Sequence, residues 1–218
     1  MGAIAFALAG VLFVVYEAAA PRLDQSTLAG AESWTTAGWA LAHIAAIVGL
    51  ILIPLGYGAL RAVVQVHSLE DTRNEKTAFM AATIGYIGSA LTISYYGAEV
   101  YGLKAIGQRA AEEGDATMAE VGNAFRYDPT AMTVFLIGLV LIAVAAVLAA
   151  VAVWRSGVLN RWSAVPLAAL LVTMLPQYFL PHAGRIAWGA LVTVAALWLA
   201  AELWKASSKT PARELQHA

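Results

Sequence analysis

Two glutamates interrupt apolar runs of this chain, and their surroundings define the chemistry open to them. Glu17 follows Tyr16 and precedes Ala18, Ala19 and Ala20. Glu99 closes a helical face with Ser89, Thr92 and Tyr96, at spacings of three, four and three. Tyr95, four residues before Glu99, is placed to lie beside it. A carboxyl group among hydrocarbon needs a partner, a proton or water. Kept protonated by burial, it is a general acid. Glu99 and Glu17 are therefore the expected catalytic residues. Tyr95, Tyr96, Tyr178, Phe179 and Trp39 are expected to form a wall around them, since aromatic faces attract positive charge. The plainer reading of the tyrosines is an aromatic belt at a membrane interface.

Other polar residues are expected at the same level. His43 follows Trp39 by four, on one face of its helix. Gln177, Tyr178, Phe179 and His182 fall in a run bounded by Pro176 and Pro181, where Pro176 removes a backbone donor and Pro181 marks a helix end. Arg185 and Trp188 follow within reach. These residues are expected to bind substrate, and Arg185, Arg22 and His43 are candidate partners for Glu17. No metal site is expected. No cofactor is expected either, with haem or quinone on His43 and His182 as the alternative.

Long apolar elements must carry these residues. The 218-residue chain is 61% hydrophobic and only 12% charged, with a mean hydropathy of +0.71. Soluble domains are about 25% charged. Six runs reach the roughly 20 residues that cross a hydrocarbon core: residues 2–20, 38–60, 77–103, 129–154, 162–180 and 183–204. The expected fold is an all-α, polytopic transmembrane bundle of six spans, as one domain over residues 1–205 with a polar tail over 206–218. A membrane β-barrel would show alternating segments about half as long. The first run lacks a basic leader and exceeds a typical signal-peptide core, so it reads as a retained span. Connection 104–128, acidic and Ala-rich, is placed to continue span three as an amphipathic helix.

Estimated depth concentrates the polar residues. Counting about 1.5 Å per residue from each span centre, His43 and Gln177 lie roughly 8 Å toward one face and Glu17 roughly 10 Å. Glu99, His182 and Arg185 lie roughly 13–15 Å toward that same face. The opposite halves are almost pure hydrocarbon. With six spans, the termini share a side with Arg61, Arg73, Lys76, Arg155, Arg161, Lys205, Lys209 and Arg213, eight of the thirteen Lys and Arg. That bias predicts cytoplasmic termini, so the polar residues fall in the outer half.

Trp34, Trp39, Trp154, Trp162 and Trp204 are expected as interfacial anchors. Gly85, Gly88 and Gly97 should admit close neighbours to span three. Pro54, Gly56 and Gly58 mark a kink and packing site. His67 and His217 are expected in water. With no cysteine, disulfides and thiolate chemistry are excluded. The net charge of −1 argues against nucleic-acid binding. The expected partners are membrane lipids and a hydrophobic small molecule. No internal repeat supports inverted-repeat transport logic, and nothing in the spacing fixes an oligomeric state.

Three segments carry a resemblance: Leu-Thr-Ile-Ser-Tyr-Tyr-Gly-Ala-Glu-Val-Tyr-Gly-Leu at 91–103, Ala-Val-Trp-Arg-Ser-Gly at 152–157 and Leu-Pro-Gln-Tyr-Phe at 175–179. They look like a family of bacterial six-span membrane proteins. The resemblance implies a multi-pass location in a bacterial cell membrane and brings no activity with it. In architecture alone the chain is similar to small membrane-integrated terpene cyclases. That likeness implies an intramembrane carboxylic acid that protonates an alkene or epoxide inside aromatic walls. The expected function is accordingly an enzyme acting on an isoprenoid or other lipid by acid–base chemistry. The alternatives are small-ligand binding, transport or an accessory membrane subunit, and a haem- or quinone-binding redox protein.

Overall fold

In hydrocarbon every backbone N–H and C=O must be paired within its own segment, so long apolar runs become helices. The computed structural model describes residues 1–67 and 72–209, which hold helices and no strand. The expected aqueous placements of the His67 side chain, Glu70, Asp71, Arg213 and His217 lie outside the described residues, as does the polar tail beyond 209.

The elements in chain order are α1 (Gly2–Ala19), α2 (Leu28–Ser33), α3 (Ala37–His67), α4 (Thr72–Ala98), a π-helical turn (Glu99–Leu103), α5 (Lys104–Glu113), α6 (Met118–Arg126), α7 (Pro129–Ser156), α8 (Val165–Val172), a 3-10 turn (Pro176–Phe179) and α9 (His182–Lys209). Among the described residues, five segments are long and apolar enough to cross a membrane: Gly2–Ala19, Ala37–Val66, Arg73–Glu113, Pro129–Ser156 and His182–Ser208. They are the helices of an integral membrane protein. As expected, helix continues past span three through α5.

The expected span over 162–180 is not one helix. Pro176 has no N–H to offer the carbonyl of Val172, and α8 ends at that residue. The chain then turns through Thr173 and Met174 into the 3-10 turn. Helix α9 runs on to Lys209, so the first residues of the expected tail are helical.

Neighbours follow a closed ring, α1 to α3, α4, α7, α8, α9 and back to α1. Side-chain bonds fix the antiparallel order. Arg61 on α3 meets Glu75 on α4 at 2.6 Å near one end, while His43 and Glu99 meet at the other. Asn74 Nδ2 donates to the Ala152 carbonyl at 3.2 Å, and Thr193 Oγ1 to the Gly10 carbonyl at 2.8 Å. Phe6, Phe13, Leu50, Leu171 and Leu199 fill the centre. The residues of interest gather at the end of the ring opposite the termini, called distal below.

Lipid tails are as apolar as leucine, so helices associate in a membrane mainly by close packing of small residues. Helices α4 and α7 touch backbone to backbone. A methyl group on Gly138 would lie 2.5 Å from Thr92 Oγ1, and one on Gly88 would lie 2.9 Å from the Gly138 carbonyl. Gly10 and Gly189 play the same part between α1 and α9. Of the other expected packing glycines, Gly56 seats the Phe6 ring, whereas Gly58 and Gly97 have open space or only Tyr101 beside them. Pro54 sits inside a helix that continues through it.

Residues 20–36 and 104–128 build a cap over the distal end. Thr27 accepts from Gly30 N at 3.1 Å to start α2, and Gly114, at φ +63°, ends α5 in the left-handed region. Ala31, Trp34, Trp39, Leu103, Ala110 and Ala119 form a second apolar cluster there. Trp34 and Trp39 are therefore buried and do not serve as interfacial anchors, whereas Trp154, Trp162 and Trp204 are exposed. Asp128 caps α7 through Thr130 N and Ala131 N, with Pro129 at its first position.

Replacing Gly138 with leucine is expected to cost about 1–3 kcal/mol, the usual penalty for overpacking. The lowered midpoint should show in thermal unfolding of the detergent-solubilised chain. Gly58→Ala, with nothing within 4 Å of the added methyl, should leave the midpoint unchanged or raise it.

Candidate functional site

Two buried carboxylates organise the distal end, one from each half of the ring. Glu17 closes α1 with no exposed surface. Its Oε2 accepts from Arg22 Nη2 at 2.9 Å and Arg185 Nε at 2.8 Å, and its Oε1 from Arg185 Nη2 at 3.3 Å. Arg22 comes from the connection just after α1, and Arg185 from the first turn of α9. His182, at the start of α9, donates Nε2 to the Glu17 carbonyl at 3.1 Å.

Glu99, 4% exposed, begins the π turn, where the hydrogen-bond ladder widens by one residue. Its carbonyl accepts from Trp39 Nε1 at 3.3 Å. Its Oε1 accepts from Arg126 Nε at 2.7 Å, and its Oε2 lies 3.1 Å from His43 Nε2. The other ring nitrogen of His43 lies 2.8 Å from the Trp39 carbonyl. A carbonyl only accepts, so Nδ1 carries a proton. The Nε2–Oε2 bond then needs a further proton, on either the imidazole or the carboxyl.

Between the two clusters, hydroxyls link α1, α4 and the 3-10 turn. Tyr96 donates to Tyr16 at 3.1 Å. Having spent its one proton, it accepts from Tyr178 at 2.5 Å. The His43 ring lies 5.9 Å from Tyr16 and 5.6 Å from Tyr96, between centroids. Tyr95 hydrogen-bonds the Arg126 carbonyl at 3.0 Å and stacks on Phe135. Gln25 holds the cap in register: its carbonyl accepts from Asn123, and its side-chain oxygen from Trp34 and Arg126.

Between the clusters lies a part-open cavity of about 430 Å³. Of the residues singled out in the sequence, Glu99, Tyr95, Tyr96, Trp39, His43, Tyr178, Phe179 and Arg185 line it. Glu17 stands behind Arg22 and Arg185 and does not. His182 faces the Glu17 backbone. Trp188 donates to Thr173 at 3.2 Å and meets Phe13 edge-on. Gln177 is buried away from the cavity, and neither side-chain polar atom has a partner. Of the candidate partners for Glu17, Arg22 and Arg185 pair with it, whereas His43 pairs with Glu99.

Arg126, Gln25, Tyr127, Met132 and Phe135 also line the cavity and were not singled out. Arg126 sits in the acidic, Ala-rich connection expected to continue span three as an amphipathic helix. Only its closeness to the Asp128-Pro129 helix start places it at the level of Glu99.

His43 is engaged at both ring nitrogens and His182 at Nε2. Among the described residues no group of His, Asp and Glu has a metal-binding arrangement. Comparison of the chain with protein-family models, characterised proteins and solved structures finds no match.

Replacing Arg185 with glutamine should cost about 3 kcal/mol, because it strips a partner from a buried carboxylate. Adding Glu17→Gln should recover most of that loss. A double-mutant cycle of unfolding midpoints checks the coupling. Tyr96→Phe breaks the hydroxyl bridge and should cost about 1 kcal/mol.

Proposed function

We propose that this is a six-crossing integral membrane protein, with both termini cytoplasmic, that holds an amphipathic lipid in its distal cavity. Support for the sixth crossing comes from the ends of the broken segment. Asn160 N, ahead of α8, bonds Glu202 near the end of α9, whereas Tyr178, beyond α8, bonds Tyr96 at the distal end. Residues 161–181 thus pass from one end of the ring to the other. The Lys and Arg bias puts the distal end outside.

One observation carries the ligand reading: the distal cavity has guanidinium donors to spare and no spare carboxylate oxygen. Arg22 spends one N–H on Glu17, while both oxygens of Glu17 and of Glu99 are engaged. Such a wall receives a polar group more readily than it delivers a proton. Leu23, Met132, Leu175 and Phe179 supply the apolar side of the cavity, and Phe179 is 85% exposed, as a contact to a lipid tail requires. A few convergent polar groups in an otherwise apolar pocket are the usual form of a ligand site.

A second reading, acid–base chemistry on an isoprenoid with Glu99 as the acid, is favoured by the 3.1 Å approach of His43 Nε2 to Glu99 Oε2 in the cavity wall. Glu17 fits such a role less well, lying outside the cavity wall. If the second reading holds, Glu99→Gln abolishes turnover of the lipid that the protein carries, while Glu17→Gln acts through stability.

Because the chain has no cysteine, single introduced thiols report sidedness. Ser26→Cys should react with a membrane-impermeant maleimide in intact cells, and Ser208→Cys only after permeabilisation. The reverse pattern would reject the orientation. Mass spectrometry of lipids extracted from protein purified in mild detergent should find one amphiphile near stoichiometric amounts. Bulk phospholipid alone would reject the ligand reading.

A further inference from the structure

Three guanidiniums face the distal cavity, from Arg22, Arg126 and Arg185. Two carboxylates, Glu17 and Glu99, meet them. Three positive charges then stand against two negative ones, an excess of at least one. The neighbouring acids do not cancel it. Asp24 and Asp128 keep their charge but face Ser26 and the start of α7, and Glu112 and Glu113 pair with Arg109. None of these four lines the cavity.

The guanidinium donors are also unevenly spent. Arg22 uses one nitrogen, and Arg126 uses Nε on Glu99 with a long contact from Nη1 to Gln25. Each guanidinium carries five N–H donors in a planar fork, so several remain for a ligand. Uncompensated charge beside a membrane interior is costly, and an anion held by charge-assisted bonds removes that cost. A carboxylate would neutralise one charge. A phosphate monoester carries about −1.5 to −2 at neutral pH and offers three acceptor oxygens, one for each arginine.

We infer that the cavity takes the phosphate monoester of a long-chain alcohol, its head against Arg22, Arg126 and Arg185 and its tail leaving past Leu175 and Phe179. This rests on the lipid-binding reading above and names the headgroup for it. Arg22 and Arg126, at 26% and 17% side-chain exposure, reach the head from the rim, and Arg185 reaches it from inside.

The test is calorimetric titration of the full, delipidated chain in nonionic detergent with decyl phosphate, decanoate, decanol and inorganic phosphate. Decyl phosphate should saturate at one per chain. Decanoate should bind about tenfold more weakly, the value of one charge-assisted hydrogen bond, and decanol about a hundredfold more weakly. Arg22→Gln, at the rim of the site, should weaken decyl phosphate about tenfold while leaving decanol unchanged. If that variant fails to fold, Arg126→Lys keeps the charge, loses the fork and should also weaken decyl phosphate. Decanol or decanoate binding as tightly as decyl phosphate would overturn the headgroup and leave the lipid pocket standing. Inorganic phosphate binding as tightly as decyl phosphate would show a free-anion site and overturn the tail. If none of the alkyl probes binds the folded wild type, the lipid-binding reading fails, and the inference with it.

Discussion

A carboxylate taken from water into a protein interior loses several kcal/mol of hydration, and only close cations and hydrogen bonds offset it. This bundle buries two, Glu17 and Glu99. Much of its irregular structure serves to bring them partners. The connection after α1 returns Arg22 to Glu17, and the break before α9 lets that helix start where Arg185 and His182 reach the same residue. The π turn, α5 and α6 carry the chain over the distal end and deliver Arg126 to Glu99. Had these positions been apolar, a plain ring of helices would have sufficed.

The same constraint explains why the two ends of the ring differ. Along most of its length, small residues let α4 meet α7 and α1 meet α9 closely, and aromatic and aliphatic side chains fill the centre. At the distal end, ion pairs and phenol hydroxyls join the helices instead. A cavity results where packing gives way to hydrogen bonding. Because both glutamates are fully engaged, what the cavity has left to offer a visitor is guanidinium N–H groups and aromatic faces.

The long helices were legible because unbroken apolar runs have one solution in hydrocarbon. So was the level at which polar groups gather, since helical rise converts sequence position into depth. Depth alone offered Glu17 three candidate partners, Arg22, Arg185 and His43. It could not set His43 apart, because depth does not say which neighbour a helix face meets, and the ring order puts α4 beside it with Glu99. The capping helices were hidden for a related reason. Trp34 and Trp39 look like interfacial anchors until Ala31, Ala110 and Gly122 close over them. Arg126 belongs to a tertiary contact that no local period encodes. Span five was misread as continuous because its composition stays apolar across Pro176, where the missing N–H matters more than the hydropathy.

The most direct measurement is an experimental density map of the full chain in a lipid nanodisc, resolved well enough to show ordered lipid. The account predicts elongated density in the distal cavity, its polar end within hydrogen-bond distance of Arg22 and Arg126 and its tail emerging beside Phe179. A cavity closed by its own side chains, or one holding ordered water alone with Glu17 and Glu99 still paired, would contradict it.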